Sequence, residues 1–321
     1  MMTFIDTLFS ELTASFTLLK ISSPFDTYSH TVFAIKDYYQ HRLSQINIYG
    51  VIVASLNIFI LLAIVTGIIL ALRSVWRRIL RKRLPPAEPA TREPAFGLSV
   101  SVPAIGRIIT LLIVLSIVFF AASTIFQGGT KIQNVLRILL LNVFLQVGIV
   151  VVILSNIPLR TFMPQPLHTT IKRYPYFFIL VVNIFILSFV ANYGFMQAVH
   201  IPPSLQPIIV LLFKQNHPGI ISTIGLQAIF LAPVAEELLF RGFLFRLANS
   251  YTSFFPAALI SSMVFASLHK NLFIFVPLMC LGMTFAYAYK KTRNIFFPIL
   301  LHAGYNLIMF LYVICIKHMQ A

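Results

Sequence analysis

Two adjacent carboxylates, Glu236 and Glu237, and an arginine, Arg241, stand inside the otherwise apolar run FLAPVAEELLFRGFLF, residues 230–245. They are the only acids beyond residue 93; the other six, Asp6, Glu11, Asp26, Asp37, Glu88 and Glu93, all come earlier. An ionisable group inside a membrane segment is costly and by default points to function. On a helix Glu237 and Arg241 are four residues apart on one face, acid before base, so Arg241 neutralises Glu237. Glu236 is rotated about 100° from its neighbour and has no intrahelical partner. A carboxylate so placed in a site of low dielectric is suited to take a proton from water. A salt-bridged pair that only anchors a helix end accounts for these three residues equally well.

Two further segments shift that balance. FASLHK places Phe265 and His269 four apart near the end of an apolar run, and FPILLHAGYN places His302 and Asn306 four apart on one helix face just after Pro298. A single histidine in a membrane helix is more often an interhelical hydrogen bonder than a catalytic group. His30, His41, His168, His200, His217 and His318 fall in loops or at ends and take no role here. Glu236, His269, His302 and Asn306 together supply a base, a second imidazole and two oxyanion donors. That is the complement needed to add water to a peptide carbonyl. Competing chemistries fare worse. Aspartyl chemistry needs two Asp residues, and the last is Asp37. Ser261, Ser262 and Ser267 lie in no G-x-S-x-G elbow and read as helix-packing hydroxyls. Cys280 and Cys315 lie in apolar runs, form no metal-ligand spacing, and read as inert packing.

The elements that must position these residues are membrane helices. The chain of 321 residues is 59% hydrophobic and 10% charged, with a mean hydropathy of +0.90, more apolar surface than a soluble domain can bury. About 20 apolar residues cross a bilayer core. Qualifying runs lie near 48–72, 107–127, 136–156, 175–197 and 219–240, and shorter ones near 254–269, 272–289 and 295–316 complete an all-α bundle of about eight spans. Residues 81–106, beginning RKRLPPAEPATREPAFG, are too rich in Pro and charge for a helix and read as a linker. Residues 1–47 form an N-terminal interfacial segment, with Ile5, Leu8, Phe9, Leu12, Phe16 and Leu19 on one helical face. No internal repeat is present.

The net charge of +16 gathers between apolar runs, a pattern of loops facing anionic lipid rather than of nucleic-acid binding. Sixteen of the 24 Lys and Arg fall on one side when residues 73–107 are cytoplasmic and Arg241 and Arg246 are counted with them. The bias places both termini outside. Depth is the awkward point. His269 lies thirteen residues past Pro256, about 20 Å of helix, whereas His302 is four past Pro298. Either the sixth helix is tilted or bent, or the helix count differs.

The order E-E-x3-R, F-x3-H, H-x3-N over residues 219–312 resembles the CAAX protease and bacteriocin-processing family of intramembrane proteases. The matching residues are Glu236, Glu237 and Arg241, then Phe265 and His269, then His302 and Asn306. The resemblance implies a catalytic core over 219–316 and peptide-bond hydrolysis in or near the membrane; it does not extend to the transmembrane helices expected over 48–218. It implies that Glu236 with His269 activates water and that His302 with Asn306 stabilises the oxyanion, with Glu237, Arg241 and Phe265 in support. A metal-free mechanism is favoured, because no H-E-x-x-H is present. Zinc remains the alternative, with Glu236, His269 and His302 as its ligands. The expected partners are a peptide or membrane-associated protein substrate and the lipid bilayer. The expected setting is a bacterial plasma membrane with the catalytic cavity open to the cytoplasm. Two other readings compete: a non-catalytic immunity or scaffold protein, and a proton-coupled transporter, which paired broken helices would support.

Overall fold

The structure is a computed structural model that describes residues 101–125, 131–200 and 204–320. The expected interfacial helix, the 48–72 run and most of the linker lie outside the described residues. The packing described below lies within one compact unit, residues 60–310; a second unit, residues 1–59 with 311–321, is described only through the last turns of the C-terminal helix.

Among the described residues every regular element is helical. Helices α1 (Val102–Ile125) and α2 (Lys131–Asn156) form an antiparallel pair. Short helical turns over 159–173 lead into α3 (Tyr174–Ala198). After α4 (Pro207–Lys214) comes α5, a helix running continuously from Pro218 to Tyr251. Then follow α6 (Phe254–Leu268), α7 (Phe275–Thr292) and α8 (Phe296–Gln320). Among the described residues six helices are long and apolar enough to cross a membrane, and α6 is a shorter apolar helix. Seven of the eight expected runs therefore correspond to helices. The protein is an integral, multi-pass membrane protein of all-α class.

Two boundaries differ from expectation for physical reasons. Helix α1 begins at Val102, inside the expected linker, because Pro103 sits in its first turn, where a missing N–H costs nothing. Helix α5 continues eleven residues past 240, which changes the charge count. Arg241 is fully buried within it and Arg246 nearly so. Neither is a loop residue, so the charge asymmetry rests on 73–107, 157–175 and 290–293 instead.

Helix α7 is the most buried span and forms the axis of the bundle, with α6 and α3 packed on it. One apolar cluster joins Phe162, Phe245, Ala258, Ala286 and Tyr289; the other joins Phe177, Phe240, Phe265, Phe285 and Phe297. In contrast, α1 and α2 present Ile113, Ile117, Phe120, Leu140 and Val151 outward, as lipid-facing helices do. The loop before α3 is stitched to the α7–α8 turn. Ile295 N–H donates to Phe162 C=O, Gln165 N–H to Arg293 C=O, and the Asn294 amide to Gln165 C=O. This stitching fixes where α8 starts, and so where His302 stands.

Candidate active site

The carboxylates sit on a short α-helical stretch, Ala232–Glu237, between two π-helical stretches, Gln227–Leu231 and Leu238–Phe245. The first has a legible cause. Ala232 N–H donates to Gln227 C=O, five residues back. The next donor in that register would come from residue 233 to Ala228, but residue 233 is proline and has no N–H. The Ala228 carbonyl is instead satisfied from another helix, by the Asn306 amide at 2.7 Å. Asn306 thus ties α8 to α5 eight residues before Glu236, at the carbonyl that Pro233 leaves without a helical donor. An amide nitrogen carries two N–H groups, so one remains for a ligand.

Behind the carboxylates is a buried ionic core. Glu237 Oε1 accepts from Arg241 Nη1 at 2.7 Å and from His302 Nδ1 at 2.9 Å, and both Glu237 and Arg241 are wholly shielded from solvent. The Arg241 guanidinium lies 4.6 Å from the Phe265 ring centre and 5.2 Å from that of Phe285, a cation–π environment that offsets lost hydration. His302 stacks on Phe285, centroids 5.0 Å apart, and meets Phe265 edge-on at 6.0 Å. Because a carboxylate can only accept, Nδ1 of His302 is the donor, and its Nε2 faces Glu236 Oε2 at 3.8 Å. Glu236 keeps 28% of its side chain exposed, whereas Glu237 keeps none. The two neighbours therefore occupy different environments, one shut inside and one open.

His269 ends α6. Its Nδ1 donates to the Phe265 carbonyl at 2.9 Å, capping a C-terminal C=O and leaving Nε2 as the free basic nitrogen. The Phe265 ring lies between the two histidines, 4.9 Å from His269 and 6.0 Å from His302. Phe265 is one turn before His269, so the expected mismatch of depth shrinks to about one turn of helix, near 5.4 Å. Among the described residues His269 makes no hydrogen bond or ion pair with Glu236. The structure brings Glu236, Glu237, Arg241, Phe265 and His302 together. Asn306 joins them through α8, and His269 joins them through Phe265.

The residues present do not make a zinc set as they stand. Among the described residues no three His, Cys, Asp or Glu side chains converge on one point. Both imidazoles do hold Nδ1 in a hydrogen bond and leave Nε2 outward, the tautomer a metal would need; the third donor is what is missing.

Sequence reading missed Pro233, Gly282 and Phe285; Ser262, read as a helix-packing hydroxyl, does lie where α6 meets α7. A Cβ on Gly282 would fall 2.8 Å from Ser262 Oγ and 2.9 Å from Arg241 Nη2, so α7 offers Arg241 room only through a missing side chain. Gly282 and Phe285 are three apart, and that spacing on one helix face was the available signal.

Fold and site define a polytopic helical membrane protein with an ionic Glu–Arg–His core behind one accessible glutamate. Residues 218–308, from the start of α5 to just past Asn306, match the family model described as type II CAAX prenyl endopeptidase Rce1-like. Through this segment the chain is similar to the CAAX protease and bacteriocin-processing family. It is similar to the Bacillus subtilis (strain 168) protein named "Putative membrane peptidase YdiL", 38% identical over 74 residues, 23% of this chain. The chain spans 30% of that relative's length. No solved structure gives a significant match.

Proposed function

We propose that the protein is an intramembrane endopeptidase that hydrolyses a peptide bond with water activated by Glu236. The observation that carries this reading is the division between the two carboxylates. Glu237 is committed to Arg241 and His302, whereas Glu236 is exposed and faces His302 Nε2 at 3.8 Å. Glu236 takes the proton of a water as its oxygen attacks the carbonyl carbon, and His269 Nε2 helps to hold that water. The carbonyl π electrons move to oxygen. The second N–H of Asn306, with His302 when it carries a proton on Nε2, receives the negative charge. Collapse of the intermediate expels the amine, which takes the proton from Glu236.

Glu237 keeps His302 in one orientation and one tautomer, and Arg241 keeps Glu237 charged. The substrate class is a peptide or membrane-associated protein, reached from the cytoplasmic side of a bacterial plasma membrane. The described residues supply no three-ligand metal geometry. Purified wild type and Glu236→Gln protein, presented with a peptide library containing prenylated and unprenylated C-termini, test the reading. Cleavage by wild type alone supports it. Equal cleavage by both removes Glu236 as the base, and proton uptake into proteoliposomes without cleavage would favour the transporter reading.

A further inference from the structure

His269 stands where the ladder of α6 runs out. The helix is 15 residues long, about 22 Å, and stops short of the roughly 30 Å of a hydrocarbon core. It ends on tight i→i−3 bonds, His269 N–H to Ala266 C=O at 3.2 Å and Lys270 N–H to Ser267 C=O at 3.1 Å. Such a last turn frays unless the chain beyond it is held. Lys270 then takes a left-handed backbone, φ 51°, and turns the chain out of the helix. Residues 270–274 thus leave a short helix at membrane depth, where irregular backbone is stable only when protein groups meet it. We infer that the Asn271 side chain, latched to Ser204, is a positioning residue that holds His269 for the proposed hydrolysis.

Two side-chain anchors meet that segment, and the one nearer to His269 runs both ways. Asn271 Oδ1 accepts from Ser204 Oγ at 3.0 Å, and Asn271 Nδ2 donates to Ser204 C=O at 3.1 Å. The same Oδ1 accepts from Ile274 N–H at 3.3 Å, closing the turn that leads into α7. The second anchor lies farther along: Asn192, buried on α3, donates to Phe273 C=O. Among the described residues no other side chain hydrogen-bonds residues 270–274. Asn271 is 8% exposed, so its three bonds are made away from water, where leaving one unmade is costly. Ser204 belongs to the α3–α4 loop, 67 residues away in sequence. The end of α6 is therefore held from outside α6.

The latch bears on chemistry through what fixes the imidazole. His269 Nδ1 holds Phe265 C=O at 2.9 Å, and the His269 ring meets that of Phe265 edge-on, centroids 4.9 Å apart. Both contacts aim Nε2 only while the last turn of α6 keeps its form, and Asn271 is two residues beyond that turn. Cut loose from Ser204, the turn unwinds from its end, the Phe265 carbonyl loses Nδ1, and Nε2 no longer points one way. A reacting group displaced by about 1 Å costs on the order of 10² in rate. Ser204 and Asn271 thus act on the reaction through His269, not on substrate.

This role rests on the peptidase reading, in which His269 helps to hold the attacking water, so its test has a catalytic arm and a chemical arm. In the first, full-length wild type, Ser204→Ala, Ser204→Thr and Asn271→Ala proteins are compared on a peptide that wild type cleaves. The two alanine variants are also made in a His269→Ala background. kcat should fall about fivefold in Ser204→Ala, the worth of one hydrogen bond, and on the order of a hundredfold in Asn271→Ala, with KM little changed. Ser204→Thr keeps the hydroxyl and should keep the rate. In the His269→Ala background neither alanine variant should cost anything more, because all act through one imidazole. If Asn271→Ala does not fold, Ser204→Ala alone carries the comparison. Losses that multiply with His269→Ala, or a rate in Ser204→Thr as low as in Ser204→Ala, overturn the role. The chemical arm needs no cleavage. Diethyl pyrocarbonate modifies imidazoles, and peptide mass spectrometry reads its rate at His269 against the exposed His168. Ser204→Ala should raise the rate at His269 about fivefold and leave that at His168 unchanged. Equal rates at His269 in wild type and Ser204→Ala overturn the latch. A wild type that cleaves no peptide, with His269 still protected through Ser204, would strike the peptidase reading while supporting the latch.

Discussion

His302 Nδ1 lies 2.9 Å from Glu237 Oε1, the same oxygen that accepts from Arg241 at 2.7 Å. One carboxylate oxygen thus joins α5 to α8 and holds the imidazole that faces Glu236. A hydrogen bond to a charged group, shielded from water, is worth more than its exposed counterpart, and this one sets the direction of His302 Nε2. In the proposed mechanism Glu237 is consequently a positioning residue, and Glu236 is left for the reaction.

Substituting Glu236 and Arg241 in turn should therefore separate activity from stability. Glu236→Gln should lose turnover while melting within a degree or two of wild type, because its carboxylate is partly exposed and stabilises little. Arg241→Ala should cost about 3–5 kcal/mol, since it strands a buried carboxylate. Peptide cleavage together with unfolding in detergent checks both. A stable Arg241→Ala protein, or a crippled fold in Glu236→Gln, would reverse the assignment.

Gly282→Ala tests whether α7 supports the ionic core. The new methyl carbon would fall 2.9 Å from Arg241 Nη2 and 2.8 Å from Ser262 Oγ. Arg241 is held by Glu237 and by aromatic rings, so the strain passes to the Glu237–His302 bond. Overpacking of this kind costs about 1–3 kcal/mol, and turnover should fall with KM little changed. Ser262 Oγ is buried with no hydrogen-bond partner. Ser262→Ala alone should then be neutral or slightly stabilising, and should partly rescue Gly282→Ala. Absence of rescue in the double variant would show that the guanidinium contact alone sets the cost.

How much of this was legible beforehand follows from the kind of signal each residue carries. Runs of apolar residues announce helices, so α1 to α3 and α5 to α8 were expected and only their ends moved. The Glu237–Arg241 pair was legible because it is local, four residues on one helix. The Glu237–His302 bond was not, since it spans 65 residues and depends on how α5 and α8 pack. Arg246 was misread for a related reason, since charge in a sequence suggests a loop until a partner in space is known, and Arg241, though paired with Glu237 on sight, was still counted with the loop charges. The short helix α4 was missed because eight residues are too few for a clear period.

Pro233 and Asn306 should behave as one unit. Asn306 Nδ2 serves the Ala228 carbonyl that Pro233 leaves unmet. Asn306→Ala should lose about 1 kcal/mol from the lost hydrogen bond to a partly buried carbonyl, and about 10²–10³ in turnover from the missing oxyanion donor. Pro233→Ala restores an N–H to α5, so in the Pro233→Ala background the stability cost of Asn306→Ala should shrink, whereas its turnover cost should persist. A four-variant cycle of unfolding and kinetics reads both couplings. Equal stability costs in the two backgrounds would dissociate the proline from the asparagine.

Metal dependence is the remaining expectation to put to measurement, and donor geometry gives it a direction. A zinc site of Glu236, His269 and His302 needs all three donors within about 2.0–2.2 Å of one point. His302 Nε2 and Glu236 Oε2, 3.8 Å apart, are near that arrangement, but the described residues bring no third ligand to them. His269 caps α6 through Nδ1, and swinging it inward would break that cap. Purified wild type should then hold zinc well below one per chain and keep its cleavage rate after incubation with a strong chelator. His302→Ala should change activity and melting, through the lost bond to Glu237, without changing metal content. Elemental analysis, chelation and zinc re-addition decide it. One zinc per chain, with cleavage lost to chelation and restored by zinc, would require His269 to move into the Glu236–His302 pair and would replace the glutamate mechanism with a metal one.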